Sequence, residues 1–154
     1  PPDGCPGALV ITADRGLVAP DTAIRLRDVR AFARVPIDAG NGRYAKPLRA
    51  GAERLREQLP ASAQVVLLGS IATPKYVDVL LAVFGRALLF PGAFVGRGDM
   101  SRGGLLLRAA RAGVELEYAA VDGAVRRGRR APRIAEGIPA QGGVVPGRSR
   151  SSFG

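Results

Sequence analysis

Short apolar runs alternate along this chain with stretches of helical periodicity, and that alternation constrains the fold more than any motif does. Ala8 to Thr12 (ALVIT) is rich in β-branched residues, lies between Gly7 and Asp14, and reads as a buried strand. Leu48, Ala52, Leu55 and Leu59 recur at helical spacing, with Arg49, Glu53, Arg54, Arg56 and Glu57 on the wet side. Pro47 suits the first turn of that helix and Pro60 ends it. Gln64 to Gly69 (QVVLLG) reads as a second buried strand. A helix then runs from Pro74 to about Phe84, with Val77, Leu80, Leu81 and Phe84 as its inner stripe, Thr73 as N-cap and Gly85 as stop. Ala87 to Phe90 is a short strand closed by Pro91-Gly92, and Val95 to Gly104 a glycine-rich polar loop. Leu105 to Ala112 reads as helix, and Val114 to Val121 alternates apolar and acidic positions as an exposed-face strand does. Asp21 to Val35 fits either periodicity and reads as strand followed by helix, with turn chemistry over Pro36 to Arg43.

This order predicts an α/β domain over residues 1–121. The expected arrangement is a three-layer sandwich around a short, mostly parallel sheet, its helices placed on the two faces by right-handed crossovers. A two-layer α+β fold is the alternative, because Val114 to Val121 has the pattern of an edge strand. From Asp122 onward Gly, Pro, Ser and Arg replace the periodic pattern. Residues 122–154 are expected to be a disordered basic tail, since they hold too few apolar residues to offset the entropy of ordering. The opening Pro-Pro-Asp-Gly also leaves room for a missing N-terminal portion or a second subunit that completes the domain.

The residues that are missing exclude whole chemistries. With no histidine, neither a Ser-His-Asp nor a Cys-His mechanism can be built from this chain alone. The usual zinc sites need His or several Cys, and Cys5 is the lone cysteine, so no zinc site and no disulfide framework is expected. No run of apolar residues is long enough for a membrane span, and no basic start followed by an apolar run marks a secretory signal; a cytoplasmic protein without a membrane partner is expected.

The chain carries 23 basic and 13 acidic residues. Of the basic residues 21 are Arg, and the accompanying Ala, Gly, Val and Pro share GC-rich codons, a bias that a GC-rich genome, here expected to be bacterial, would give without function. Position says more than the total. Residues 1–121 hold 16 basic and 11 acidic groups, net +5, and residues 122–154 hold 7 and 2, also net +5.

In open α/β sheets ligands bind beyond the carboxyl ends of the strands, and three loops qualify. Ala13-Asp14-Arg15-Gly16 offers an acid for magnesium or a ribose hydroxyl, or is a plain turn. Gly69-Ser70-Ile71-Ala72-Thr73 leads into a helix whose first N–H groups favour anions; Ser70, Thr73 and Lys75 can add to such a site, or Ser70 and Thr73 simply cap the helix. The Walker pattern is absent from it. In Gly96 to Gly104, Arg97 and Arg102 can grip phosphate or carboxylate bidentately, Gly98 permits close approach, Asp99 can orient a hydroxyl or a metal, and Ser101 can cap the next helix. The competing reading is a surface loop with an internal Asp–Arg pair. In the tail, Arg126, Arg127, Arg129 and Arg130 are candidates for nucleic-acid backbone.

The expected function is therefore the binding of a phosphorylated or anionic ligand, a nucleotide or a nucleic-acid end, at strand-end loops. Gly69, Ser70, Thr73, Arg97, Gly98, Ser101 and Arg102 would form the site. Any catalysis would be independent of histidine, with Asp14 and Asp99 as the acids and magnesium as the cofactor they could hold, and would amount to phosphoryl or glycosyl transfer. The alternative is a non-catalytic module that docks on nucleic acid or an acidic protein through its arginine-rich tail.

Overall fold

The computed structural model describes residues 4–128. The chain folds as a mixed α/β protein with two small sheets. Strand β1 (Val10–Thr12) turns at once into β2 (Gly16–Val18), and the two form an antiparallel hairpin. Helix α1 (Leu26–Phe32) and the long helix α2 (Gly42–Gln58) follow. Strand β3 (Val65–Val66), helix α3 (Pro74–Phe84), strand β4 (Leu88–Pro91), helix α4 (Asp99–Ala112) and strand β5 (Tyr118–Ala120) complete the order. The main sheet runs β3-β4-β5, with β3 parallel to β4 and β5 antiparallel to it. Its ladder continues past the strands: the Leu67 N–H donates to the Leu89 carbonyl at 2.8 Å and the Val121 N–H to the Leu88 carbonyl at 2.9 Å.

The core lies where α2 and α3 meet this sheet. Tyr44, Leu48 and Ala52 from α2 pack with Val77, Leu80 and Phe84 from α3 and with Leu88 and Phe90 from β4. The stripe anticipated on α3 is nearly the one found, with Leu81 half-buried, and Thr73, Pro74 and Gly85 stand at the cap, first helical and terminating positions. Gly85 adopts φ +52°, which glycine reaches without the steric cost a side chain adds.

Several expectations are corrected. The sheet is not mostly parallel: one of the three strand pairings is parallel and two are antiparallel. The cause is local. Thr12 Oγ1 donates to the Gly16 carbonyl at 3.0 Å and accepts the Arg15 N–H at 3.1 Å, which closes a tight turn. The ALVIT segment therefore pairs with the residues just after it instead of entering the main sheet by a crossover, and Val10 is exposed. No strand forms over Asp21 to Arg25, and Leu26 and Val29 of α1 face solvent. Helix α2 begins at Gly42, not at Pro47. Asn41, read as a turn residue, is its N-cap and accepts the Arg43 N–H at 3.1 Å. Pro47 then sits inside the helix with no N–H to give the Arg43 carbonyl. Helix α4 begins at Asp99, inside the stretch read as loop, and none of its residues is buried.

Candidate functional site

Because β3 and β4 run parallel, the chain leaves both at the same edge of the sheet. The connection from β3 to α3 and the one from β4 to α4 thus stand side by side, as the strand-end rule requires. Between them lies a cleft of about 340 Å³. Ser70, Ile71 and Ala72 line it from the first connection, and Phe94, Gly96, Arg97 and Arg102 from the second. The third wall is Arg126, Arg127 and Gly128. After Val121 the chain does not leave the body immediately: it comes back to this edge and packs Gly128 against Val95.

The floor is apolar, since Ile71 and Phe94 are both buried. The walls are cationic. Among the described residues, four arginines line the cleft and no carboxylate does. Each is held by the protein. Arg97 donates from Nε to the Ala93 carbonyl at 2.9 Å and from Nη1 to Ser101 Oγ at 3.2 Å. Arg102 donates to the Arg97 carbonyl and to the Asp99 carboxylate. Its side chain is only 11% exposed, whereas that of Asp99 is 96% exposed. Arg126 pairs with Asp78 of α3 at 2.9 Å. Arg127 donates from Nε to the Ala72 carbonyl at 3.4 Å. These bonds fix where the guanidinium groups stand.

The β3–α3 connection is fixed by Tyr76, whose hydroxyl accepts the Ser70 N–H at 2.9 Å. Gly69 lies against the same ring: a Cβ there would stand 3.0 Å from the Tyr76 hydroxyl. Gly69 thus serves packing rather than ligand approach. Ser70 Oγ accepts the Ala72 N–H at 3.3 Å and shapes the loop.

Of the residues singled out from the sequence, Ser70, Arg97, Arg102, Arg126 and Arg127 line this one cleft. Thr73 and Gly98 are the N-cap positions of α3 and α4, and neither makes a side-chain cap bond. Ser101 supports Arg97, and Lys75 is exposed outside the lining. Arg129 and Arg130 lie outside the described residues. Asp14 is not brought to the cleft. It belongs to the β1–β2 turn, on the other sheet, 3.7 Å from Arg15 Nε. Arg15 in turn pairs with Asp28 and stands over the Phe32 ring at 5.3 Å. Asp14 and Asp99, the two acids available for a metal or for base chemistry, thus belong to different elements, and Asp99 is engaged with Arg102. Among the described residues no group of three or more His, Cys, Asp or Glu stands close enough to hold a metal ion.

Sequence reasoning missed Phe94, Ile71 and Asp78. A signal existed for the first: Phe94 is a large apolar residue within Pro91-Gly92-Ala93-Phe94-Val95-Gly96, a glycine- and proline-rich stretch that has no other reason to carry one. The Arg126–Asp78 pair spans 48 positions, and no local pattern announces it. A second groove, between α2 and α3, is lined by Arg49, Arg56, Glu53 and Glu57, and its balanced charge favours neither sign of ligand. Among the described residues, no helix is long and apolar enough to cross a membrane. No protein-family model, no curated protein and no solved structure matches this chain.

Proposed function

We propose that this cleft binds a phosphorylated or otherwise anionic ligand, a nucleotide or the end of a nucleic-acid strand. One observation carries the reading: Arg97, Arg102, Arg126 and Arg127, from two separate parts of the sequence, converge on one concave site with an apolar floor and, among the described residues, no carboxylate in its lining. Guanidinium forks match phosphate oxygens in geometry, and partial burial strengthens the attraction by keeping water away. A cleft of about 340 Å³ falls within the size range of small-molecule sites. Asp99, set on Arg102 at the mouth, holds a guanidinium in place until a ligand replaces it. A cytoplasmic setting, where nucleotides and nucleic acids are abundant, belongs to the same proposal.

The test is calorimetric titration of the full chain with pyrophosphate and with nucleoside mono-, di- and triphosphates, repeated on Arg102→Ala and Arg127→Ala. Saturating ligand also raises the melting temperature, since ligand at 100 times its dissociation constant adds about 2.7 kcal/mol. Binding that weakens by about tenfold or more in both variants, with the circular dichroism spectrum unchanged, supports the reading. Absence of binding by every phosphate compound to the intact chain refutes it.

A further inference from the structure

Helix α1 presents an apolar centre and a ring of arginines to the outside of the molecule. We propose that this face docks the protein on an anionic lipid bilayer. The inference stands apart from the cleft and does not depend on the anion-binding reading above.

The helix is fastened by one face. Asp28, its one acid, is 9% exposed. It accepts the Arg25 N–H at 2.8 Å and the guanidinium of Arg15 from the β1–β2 turn. Phe32 packs against the core with Arg15 over its ring. The opposite face carries Leu26 at 66% exposure and Val29 at 51%, one turn apart. Ile24, just ahead of the helix, is exposed as well. Arg25, Arg27, Arg30 and Arg34 are all exposed around these side chains. Arg27 comes within 3.9 Å of Asp28 with its own side chain still 76% exposed. Among the described residues Arg30 and Arg34 make no ion pair. The exposed acids nearest in sequence, Asp21 and Asp38, lie beyond the two ends of the helix, and Asp38 accepts the Gly40 N–H in its own turn.

Charge selects an anionic partner, because four guanidinium groups point out while the helix's acid is turned in. Chemistry and shape then choose among anionic partners. Exposed Leu26 and Val29 offer nothing to a nucleic-acid backbone. They suit the boundary between headgroups and acyl chains, with the arginines reaching back to lipid phosphate and carboxylate. A bound peptide takes a groove or a sheet edge. Helix α1 lines neither of the two grooves described above, and no strand flanks it in the chain order. An outward helix face of this kind fits a broad, flat surface. The expectation of no membrane partner rests on the lack of a spanning run, and a helix that lies on a bilayer needs no such run.

The chain contains no tryptophan, so Leu26→Trp places a single reporter at the centre of the face. The full chain with this substitution is titrated with vesicles of phosphatidylcholine alone and with about one third phosphatidylserine, at two salt concentrations. The expected result is a blue-shifted emission with the anionic vesicles. Binding to them is about tenfold or more tighter than to the neutral ones and weakens with salt. Sedimentation with the same vesicles then compares the parent chain with Arg27→Gln/Arg30→Gln/Arg34→Gln and with Leu26→Gln/Val29→Gln. These positions are exposed, so circular dichroism and urea unfolding should match the parent. The arginine variant loses about tenfold or more in binding to anionic vesicles. The apolar variant loses binding severalfold and keeps the salt dependence. Absence of a blue shift with anionic vesicles overturns the inference; if polyglutamate gives the shift instead, the face belongs to an acidic protein. Either variant sedimenting like the parent also overturns it, since basic residues elsewhere in the chain then account for the binding.

Discussion

Gly16 is the position where a single methyl group does most damage. Its φ is +68°, a left-handed conformation, and a Cβ there would stand 2.3 Å from the Pro47 carbonyl oxygen and 2.6 Å from its carbon. Both are backbone atoms of helix α2 and have no rotamer in which to retreat. Gly16→Ala therefore carries two costs. The left-handed conformation costs about 1–2 kcal/mol for a residue with a Cβ. Relief of the clash needs about 1 Å of separation between hairpin and helix, since carbon–oxygen contacts settle at about 3.3–3.6 Å. A gap of that size forfeits up to about half of the dispersion energy of the facing atoms. Those atoms include Leu17, which faces α2 so closely that a Cβ at Gly51 would stand 3.4 Å from it. We set this second cost at about 2 kcal/mol, the size of a lost buried aliphatic contact, so the total reaches about 3–4 kcal/mol. Gly113→Ala separates the two costs: its φ is +63° and nothing lies within 4 Å of a Cβ there, so it shows the conformational cost alone. The assay is urea unfolding of both variants by circular dichroism at equal m-value. If Gly16→Ala costs no more than Gly113→Ala, the hairpin is not seated on α2 as described and the reasoning fails.

Three further outcomes are expected. The Tyr44 hydroxyl is buried without a hydrogen-bond partner among the described residues, at 1% exposure, and Tyr44→Phe should stabilise the fold by about 1 kcal/mol in the same unfolding assay. Burial, with the neighbouring Tyr76, pushes that phenol up to about 12 from 10.0. As pH rises through this interval the unfolded chain loses its proton first, so stability falls, and Tyr44→Phe should reduce the fall; an unchanged alkaline slope would contradict the assignment. The Arg25 N–H and then the Arg15 guanidinium hold the Asp28 carboxyl below its ordinary value of 3.8. Its contribution is fully present above that value and is lost as pH falls through the lower folded-state value, so Asp28→Asn should flatten the acid limb of the stability profile. Asp99→Asn frees Arg102 from its exposed acid and should tighten pyrophosphate binding severalfold; weaker binding would instead assign the carboxylate to the ligand or its metal.

Helix α3 was legible in the sequence to its ends, because its inner stripe, its Thr73-Pro74 start and its Gly85 stop are all local signals. Helix α2 was legible in its body but not at its start. Asn41 is good turn chemistry and an equally good N-cap, and only the packing of Tyr44 at 1% exposure decides for the helix. The loops of the cleft were legible as strand-end loops, and four of its arginines had been named. Their meeting was not legible, since Arg126 reaches Asp78 across 48 positions.

The sequence by itself determined the alternation of strand and helix, the exclusion of histidine chemistry, and which segments carry arginine. Those properties depend on residue type and on spacing within a few positions. Tertiary structure alone decided how the β1–β2 hairpin seats on α2, with Gly16 against the Pro47 carbonyl. It also brought Arg126 and Arg127 back to the edge where Arg97 and Arg102 stand. Strand pairing and ion pairing are chosen among competing partners by the energy of the whole packed arrangement, and that energy is not a property of any local segment.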